Sequence, residues 1–244
     1  MGLNTYSTDL ESSSSQYWSI TDASQTGLDL SGDLTFEAWI KPESVSGNDH
    51  ILAKYVTSGN QRAYRFNLSN NGAGNFTVNL SGNGASGTTC AFSSNNSVIT
   101  TGTWQHVAFT YEASTQTGQL YLDGSSVTTN LIGTAPTSIK NSTAPFLVGS
   151  YKTGTANFFD GLIDEVRVWN VERTSGEISA NYNTELVGNE SGLVGYWRFN
   201  NDATDQTSNG NDLTNNNSAT FSTDVPFTGA AGAVDNAVIF AMNF

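Results

Sequence analysis

The chain is poor in the residues that make disulfides, membrane spans and contacts with nucleic acids. Its single cysteine, Cys90, excludes an intrachain disulfide and leaves the compartment open. No segment approaches the ~18 consecutive apolar residues of a membrane span, so we expect no membrane insertion. Only nine Lys and Arg stand against twenty-two Asp and Glu, and the resulting net charge of −13 disfavours nucleic acid as a partner.

Gly, Ser, Thr and Asn separate many short segments whose apolar and polar residues alternate. LTFEAWIK at 34–41 and FTVNL at 76–80 show the two-residue period of strands with one buried face. Asn-Gly pairs at 71–72 and 83–84, and Asp123-Gly124, indicate tight turns. These patterns predict an all-β protein, an antiparallel two-sheet β-sandwich of the jelly-roll type.

Helical and domain signals are few. A short helix is expected near 174–182, where Thr174 or Ser175 can cap a first turn that contains Glu177. No repeat or linker divides the chain. We therefore expect one domain over residues 1–227, followed by a C-terminal strand at 228–244 that closes the sheet or mediates assembly. The N-terminus lacks a basic region and an apolar core, so we expect no signal peptide in this chain.

The segment from Phe158 to Ile178 (FFDGLIDEVRVWNVERTSGEI) contains one acidic residue in an unexpected place. Strand alternation predicts that Asp164 shares a face with Val166 and Val168. A carboxylate on an apolar face is costly unless it is paired, hydrogen-bonded or bound to a metal. Asp164 is therefore a candidate metal ligand.

The opposite face of the same strand carries Glu165, Arg167 and Trp169, and the segment at 34–41 carries Glu37 and Trp39 on one face. If the two strands are neighbours, cross-strand ion pairs and Arg–Trp stacking follow. We interpret this group as structural. Of the two histidines, His106 is expected to be a hydrogen-bonded core residue and His50 an exposed loop residue.

Several segments together resemble a known family. They are LTFEAWIKP, TGTWQHVAFTY, YLDG, PFLVGS, the segment at 158–178, and GLVGYWRFN followed by DQTSNGNDLTN. In this order they are similar to the laminin-G-like jelly-roll domain of the concanavalin A-like lectin/glucanase superfamily, over about residues 9–221. The resemblance implies two antiparallel sheets with loops gathered at the rims. It also implies calcium as a structural cofactor and glycans or glycoproteins as partners, in extracellular, cell-surface or virion-surface proteins.

Calcium takes six to eight oxygen ligands, commonly from Gly-rich turns. The run DQTSNGND at 205–212 offers such oxygens around a glycine, without the spacing of an EF-hand. By the family resemblance, Asp164 could meet the loop of Asp205, Asn209 and Asn211, together with Glu11, to bind one ion. The alternative is that Asp164 caps turn amides and that the Asn-rich segment is only a loop.

Sugar rings stack on aromatic faces, while amides, carboxylates and backbone groups bind their hydroxyls. The candidate glycan contacts are Tyr55, Arg62, Tyr64 and Tyr151, with polar loops at 46–50, 69–75, 81–87 and 150–157. Ordinary packing of each aromatic residue is the alternative.

Catalytic motifs are missing from the sequence. Glycoside hydrolysis uses two carboxylates roughly 5–9.5 Å apart, and Glu37 has no carboxylate two residues away. No nucleophile elbow, HExxH motif or phosphate loop is present. We predict a non-catalytic recognition module for glycans or glycoproteins. The alternatives are a structural or assembly protein, such as a virion decoration or fibre subunit that binds copies of itself or other virion proteins, and, more weakly, a glycan-active enzyme.

Overall fold

The computed structural model describes residues 4–69, 74–95 and 97–227, which form two antiparallel sheets packed face to face. Sheet A contains β1 Ser7–Leu10, β3 Leu34–Pro42, β8 Gln105–Glu112, β9 Thr117–Leu122, β10 Ser125–Val127, β13 Gly161–Trp169, β14 Leu193–Trp197 and β16 Thr220–Ser222. Sheet B contains β2 Tyr17–Ile20, β4 His50–Val56, β5 Gln61–Ser69, β6 Asn75–Ser81, β7 Thr89–Ser94, β11 Thr129–Ile132, β12 Phe146–Val148 and β15 Thr214–Asn216. The predicted all-β sandwich is confirmed.

The strand order determines which loops meet at the ends of the sandwich. Sheet A runs β10-β9-β8-β3-β13-β1-β16, with β14 also paired to β13, and sheet B runs β11-β7-β6-β5-β4-β12-β2-β15. The β4–β5 turn and the β6–β7 loop therefore lie at the same end of sheet B, because both join antiparallel neighbours. This end carries the cleft described below.

The core lies between the sheets and follows from the alternation in the sequence. Phe36 and Ile40 of β3 are fully buried in it, and Tyr64 of β5 packs against Phe36 with ring centroids 5.0 Å apart. Burial of such side chains is the main stabilising contribution to a fold of this kind. The alternate residues of β3 point to the outer face of sheet A.

One α-helix, α1, spans Ser175–Asn181 among the described residues, as predicted for this segment. Thr174 forms a capping box: its side chain accepts a hydrogen bond from the Glu177 backbone N–H, and the Glu177 carboxylate accepts one from the Thr174 N–H. Ile178 is buried against Ala108 and Tyr121. The helix thus covers part of the outer face of sheet A.

A β-bulge in β13 changes the face on which Asp164 lies. Asp164 is opposite Trp39 and Arg167 is opposite Glu37, so β13 has one residue more than β3 over this interval. Glu165, inside the bulge, has a φ of 50°. The prediction that Asp164 shares the core face with the valines that follow it is wrong, because simple alternation does not anticipate an inserted residue.

The described residues contain no helix that is long and apolar enough to cross a membrane. The predicted C-terminal strand at 228–244 and the Asn-Gly pair at 71–72 lie outside the described residues. The boundary between a domain at 1–227 and that strand stays a prediction.

Candidate functional site

A buried network of charges occupies the outer face of sheet A, where β3 and β13 are neighbours as the predicted cross-strand group requires. The Arg167 Nη2 atom donates to Glu165 Oε2 at 2.7 Å, and Nη1 lies 3.6 Å from Glu37 Oε2. Trp169 Nε1 donates to Glu37 Oε1 at 2.8 Å. The stacking partner of Trp169 is Arg173, whose guanidinium carbon is 3.9 Å from the ring centroid, and not Arg167.

This network is closed to ligands. Glu37 and Arg167 have no exposed surface, and Glu165 is only 1% exposed. Burial by itself raises the pKa of Glu37, but the neighbouring His106 and the Arg167 charge outweigh it and lower that pKa to about 2. Burial lowers the pKa of His106, against the opposing effect of Glu37, whose Oε2 lies 3.3 Å from His106 Nε2. The group is structural, as interpreted from the sequence.

Asp164 is also satisfied by protein groups. Its carboxylate accepts hydrogen bonds from Asn4 Nδ2 and from the Glu165 backbone N–H, both at 2.8 Å. Burial and the charge of Glu165 hold the pKa of Asp164 well above its ordinary value. The bond from the Glu165 N–H caps a backbone amide. Such a cap is the alternative to metal binding that the sequence analysis left open for Asp164.

The loop at 205–212 is organised by the Asp205 carboxylate. Oδ1 accepts from the backbone N–H groups of Tyr196 and Thr207, at 3.0 and 2.9 Å. Oδ2 accepts from Thr207 Oγ1 and the Asn211 backbone N–H, at 2.8 and 2.9 Å. Four donors already surround the two oxygens that a calcium ion would use.

The two amides of this loop join it to the rest of the sandwich. Asn209 Nδ2 donates to the Val194 carbonyl at 2.9 Å. Asn211 Nδ2 donates to the carbonyls of Val194 and Thr26, and its Oδ1 accepts from the Thr26 backbone N–H at 2.7 Å. Both residues therefore hold the loop against β14 and the segment before β3.

Glu11 lies apart from Asp164, another of the predicted calcium ligands. It follows β1, whose Leu10 is opposite Gly161 and whose Thr8 is opposite Ile163. At ~3.3 Å per residue, Glu11 is roughly 10–13 Å along the strand from Asp164. Across the described ranges, no three or more His, Cys, Asp or Glu side chains form a group that could hold a metal ion. Calcium binding stays a prediction.

The four predicted glycan contacts separate into two groups. Tyr64 belongs to the core, where its hydroxyl donates to the Leu28 carbonyl at 2.8 Å and the residue has no exposed surface. It cannot contact a glycan, because β5 alternation directs it between the sheets. Tyr55 and Tyr151 pack together with Ala53 in a separate cluster. Ala53 of β4 is paired with Arg65 of the neighbouring strand β5.

The loop after β12 folds back so that Tyr151 lies on His50. The two rings are parallel within 5° and their centroids are 4.2 Å apart. His50 is the first residue of β4 and is fully buried, so the prediction of an exposed loop histidine is wrong. Burial and the Arg65 charge lower the pKa of His50 to about 3, which keeps the imidazole neutral.

Three cations cover the two tyrosine rings, and we call these five residues the cationic patch. The Arg65 guanidinium carbon lies 4.9 Å from the Tyr55 centroid and 5.7 Å from that of Tyr151. Arg62 is 6.0 Å from the Tyr55 centroid, and Lys152 Nζ is 4.8 Å from that of Tyr151. Because Tyr55 and Tyr151 are only 6% and 7% exposed, neither offers a free face to a sugar ring.

An open cleft of about 590 Å³ adjoins the cationic patch. Its walls come from residues 82–83, 87–89 and 133–137, with Gln116. Two contacts join cleft and patch: the Tyr55 hydroxyl is 3.4 Å from Thr89 Oγ1, and Arg62 Nη1 donates to the Gly84 carbonyl at 2.9 Å. The sequence indicated the loop at 81–87 but not 133–137, although Gly133 and Pro136 are residues typical of loops.

The predicted turn at Asn83-Gly84 shapes one wall of this cleft. Asn83 Oδ1 accepts from the Ala85 backbone N–H at 2.9 Å, the pattern of an Asx turn. Gly84 has a φ of +78°, and a Cβ atom there would lie 1.9 Å from the Asn60 carbonyl oxygen. Only glycine lets the loop pack this closely on the β4–β5 turn.

A second groove, of about 460 Å³, lies between residues 187–190 and 206–208. The Glu190 carboxylate in it accepts from the backbone N–H groups of Val187 and Gly188, at 2.7 and 2.9 Å. The Glu190 carboxylate thus stabilises the loop to which it belongs. Val187 is 56% exposed beside it.

Comparison with known proteins places this fold. The family model Laminin_G_3, described as "Concanavalin A-like lectin/glucanases superfamily", matches residues 12–179. A protein described as carbohydrate-binding from Bacteroides ovatus ATCC 8483 has a similar structure, with a TM-score of 0.67 and 21% identity over 93% of this chain. The chain spans 60% of the length of that protein.

Two further solved structures are similar. The SAP-like pentraxin of Limulus polyphemus has a TM-score of 0.56 and 13% identity over 89% of this chain and 88% of its own. The Ruminococcus gnavus IT-sialidase CBM40 bound to α2,3-sialyllactose has a TM-score of 0.56 and 15% identity over 75% of this chain and 100% of its own. A search of curated proteins found no match. At these identities the similarity to the solved structures shows the fold alone. The family match shows that this chain belongs to the laminin-G-like family of the concanavalin A-like lectin/glucanases superfamily.

Proposed function

We propose that this chain is a non-catalytic module that binds a glycan or the glycan of a glycoprotein. The observation that carries the proposal is the cleft at the end of sheet B. Its volume of about 590 Å³ falls within the range of small-molecule sites. Its lining offers threonine hydroxyls, side-chain amides and the backbone of glycines. Such groups both donate and accept hydrogen bonds, as sugar hydroxyls do.

The comparisons support a glycan as the class of ligand. The Bacteroides ovatus protein is described as carbohydrate-binding, and the Ruminococcus gnavus module was solved with α2,3-sialyllactose. Both have the sandwich fold of this chain. Since one fold can carry many functions, the cleft itself is the stronger argument.

Binding rather than hydrolysis is favoured by the chemistry of the cleft. None of the described residues that line it is Asp, Glu or His, so the lining contains no general acid or base. The buried acids of the described sheet A network are enclosed in ion pairs and hydrogen bonds. Glu37 and Glu165 are at most 1% exposed, so a glycosidic bond cannot reach their carboxylates.

The experiment is a glycan array screened with the full chain, followed by titration of the glycans that bind. Thr134 is an exposed residue of the cleft wall, and Thr134→Trp fills the cleft without touching the core. We expect Thr134→Trp to weaken binding at least about tenfold, because the indole ring would block the polar groups that contact the glycan. A tenfold change in affinity corresponds to about 1.4 kcal/mol. Thr101→Trp, which adds the same ring at an exposed position outside the cleft lining, is the matched control.

Two results would overturn the proposal. One is the absence of binding to any glycan on the array. The other is equal binding by wild type and Thr134→Trp, which would place a glycan site elsewhere on the molecule.

Calcium and a location outside the cell or on a virion surface remain extensions of this proposal that rest on the family resemblance. A role in assembly rests instead on the apolar segment predicted at 228–244. Calcium has its own test, described below. Assembly would need the segment at 228–244, so sizing the full chain beside a chain ending at residue 227 separates it from closure within one molecule.

A further inference from the structure

We propose that the cationic patch beside the cleft selects glycans that carry an acidic sugar, with a carboxylate or sulfate group seated between Arg65 and Lys152. This inference rests on the proposed function and specifies the class of glycan. The neutral cleft would hold the sugar hydroxyls, and the patch would hold the anionic substituent.

The chain distributes its few cations unevenly. The net charge is −13, and only nine Lys and Arg are present. In the described part of the molecule, four of them form ion pairs: Lys41, Lys54, Arg167 and Arg173. Of the other five, three lie together over Tyr55 and Tyr151. An acidic protein that gathers its unpaired cations at one place creates a local site for an anion.

Arg65 and Lys152 keep hydrogen-bond donors available for a ligand. Arg65 donates through Nε to Asn79 Oδ1 at 2.8 Å, which leaves its terminal Nη groups without a protein acceptor among the described residues. The Lys152 ammonium likewise has no hydrogen-bond acceptor or carboxylate partner in the described chain. Both side chains are partly exposed, so a ligand can reach them. A guanidinium fork and an ammonium are the groups that bind carboxylate and sulfate best.

The aromatic rings of the patch hold the cations and are themselves covered. His50 covers one part of the Tyr151 surface, and Arg65 and Lys152 cover others. Rings occupied in this way cannot stack on a sugar, but they hold the cations in place through cation–π contacts. The cationic patch therefore suits a ligand's negative charge and not the apolar face of a sugar ring.

The loop that carries Lys152 is held in one conformation. Lys152, Thr153 and Gly154 all have positive φ values, of 53°, 64° and 73°. The Lys152 N–H donates to the Tyr55 carbonyl at 3.2 Å, and Gly154 N–H donates to the Tyr151 carbonyl at 3.1 Å. A side chain in the left-handed region is disfavoured and persists only where the surroundings fix it. The backbone of this loop thus places Lys152 beside the tyrosines, where its Nζ lies 4.8 Å from the Tyr151 centroid.

The test uses the full chain and oligosaccharides in matched pairs. Each pair differs only in the acidic group: 3′-sialyllactose with lactose, oligogalacturonate with its methyl ester, and a sulfated chondroitin oligosaccharide with its desulfated form. We expect one acidic member to bind at least about tenfold more tightly than its neutral counterpart, with an affinity that falls as salt is raised.

Variants then assign the preference to the patch. Lys152→Gln and Arg65→Gln should each reduce the affinity for the acidic member about tenfold and leave that for the neutral member unchanged. Lys41→Gln removes the same charge on sheet A and should change neither. Thermal unfolding of each variant verifies the fold, and Lys152, on a partly exposed loop, is the substitution least able to disturb it.

The outcomes separate the two proposals. Equal binding of both members of every pair, or a preference that survives Lys152→Gln and Arg65→Gln, overturns the acidic-sugar inference and leaves glycan binding intact. Binding to no member of any pair and to no glycan on the array overturns both.

Discussion

At the scale of single residues, the polar side chains that are buried in the described structure are engaged mainly with other protein groups. Asp205 accepts four hydrogen bonds, and Asp164 accepts two. His50 is instead enclosed against Tyr151 in its neutral form. Because each buried polar group must be satisfied or kept uncharged, these residues make definite contributions to stability.

Asp205→Ala should strongly destabilise the fold. The change removes an acceptor for four donors and leaves at least two of them buried, so we expect a loss of about 3 kcal/mol or more in the free energy of unfolding. Urea unfolding measures it, with exposed Asp202→Ala as the control, which should cost less than about 0.5 kcal/mol. A loss for Asp205→Ala as small as that of the control would contradict the structural role of this carboxylate.

His50 should make stability depend on pH. Its pKa is lowered to about 3 in the folded state, from 6.5 when unfolded. Between these values the unfolded chain binds a proton that the folded chain does not, so stability falls as pH decreases from about 6.5 towards 3. The slope is about 1.4 kcal/mol per pH unit.

The measurement compares wild type with His50→Phe, which keeps an aromatic ring on Tyr151. From pH 7.5 to 4.5, wild type should lose about 2–3 kcal/mol more than the variant, since every other titrating group is common to both. Parallel pH profiles would mean that folded His50 accepts a proton at its ordinary pKa.

At the scale of elements, sequence alternation located most strands but not their irregularities. The segment LTFEAWIK lies in β3, and Thr174, with its predicted capping signal, is the N-cap of α1. The bulge at Glu165 adds one residue to β13, and alternation alone could not predict that Asp164 would face Trp39. The polar residues before His50 obscure the start of β4, so the sequence pattern places His50 in a loop.

The capping box of α1 should contribute measurably to stability. Thr174→Ala removes the side chain that accepts the Glu177 N–H, and we expect a loss of about 1 kcal/mol in the free energy of unfolding. The exposed Thr101→Ala, outside any helix, is the matched control and should change stability by less than about 0.5 kcal/mol. Equal effects of the two substitutions would show that α1 does not depend on its cap.

At the scale of the whole molecule, the sequence predicted the sandwich better than the site. The ordered family segments identified the fold, which depends on many residues together. The predicted ligands, by contrast, depended on which donors each oxygen meets in space. Composition shows that Asp205 has oxygens to offer but not that Tyr196, Thr207 and Asn211 occupy them. The cleft joins loops distant in sequence, at 82–89 and 133–137, so no single motif reveals it.

Calcium binding, proposed from the family resemblance, predicts a rise in the unfolding temperature from excess EDTA to millimolar calcium. A ligand at one hundred times its dissociation constant adds about 2.7 kcal/mol, which corresponds to a shift of several degrees. With Asp164 and Asp205 as ligands, as the resemblance implies, the shift should be lost in Asp164→Ala and in Asp205→Ala. Identical unfolding temperatures in EDTA and calcium would remove calcium from the account.

The most direct measurement of the central claim is amide chemical-shift mapping of the labelled chain titrated with the tightest glycan from the array. Glycan binding in the cleft predicts that the largest shifts fall on residues 82–89 and 133–137, with Lys152 among them when the glycan is acidic. Shifts confined to the second groove, at 187–190 and 206–208, would contradict the assignment of the cleft as the site.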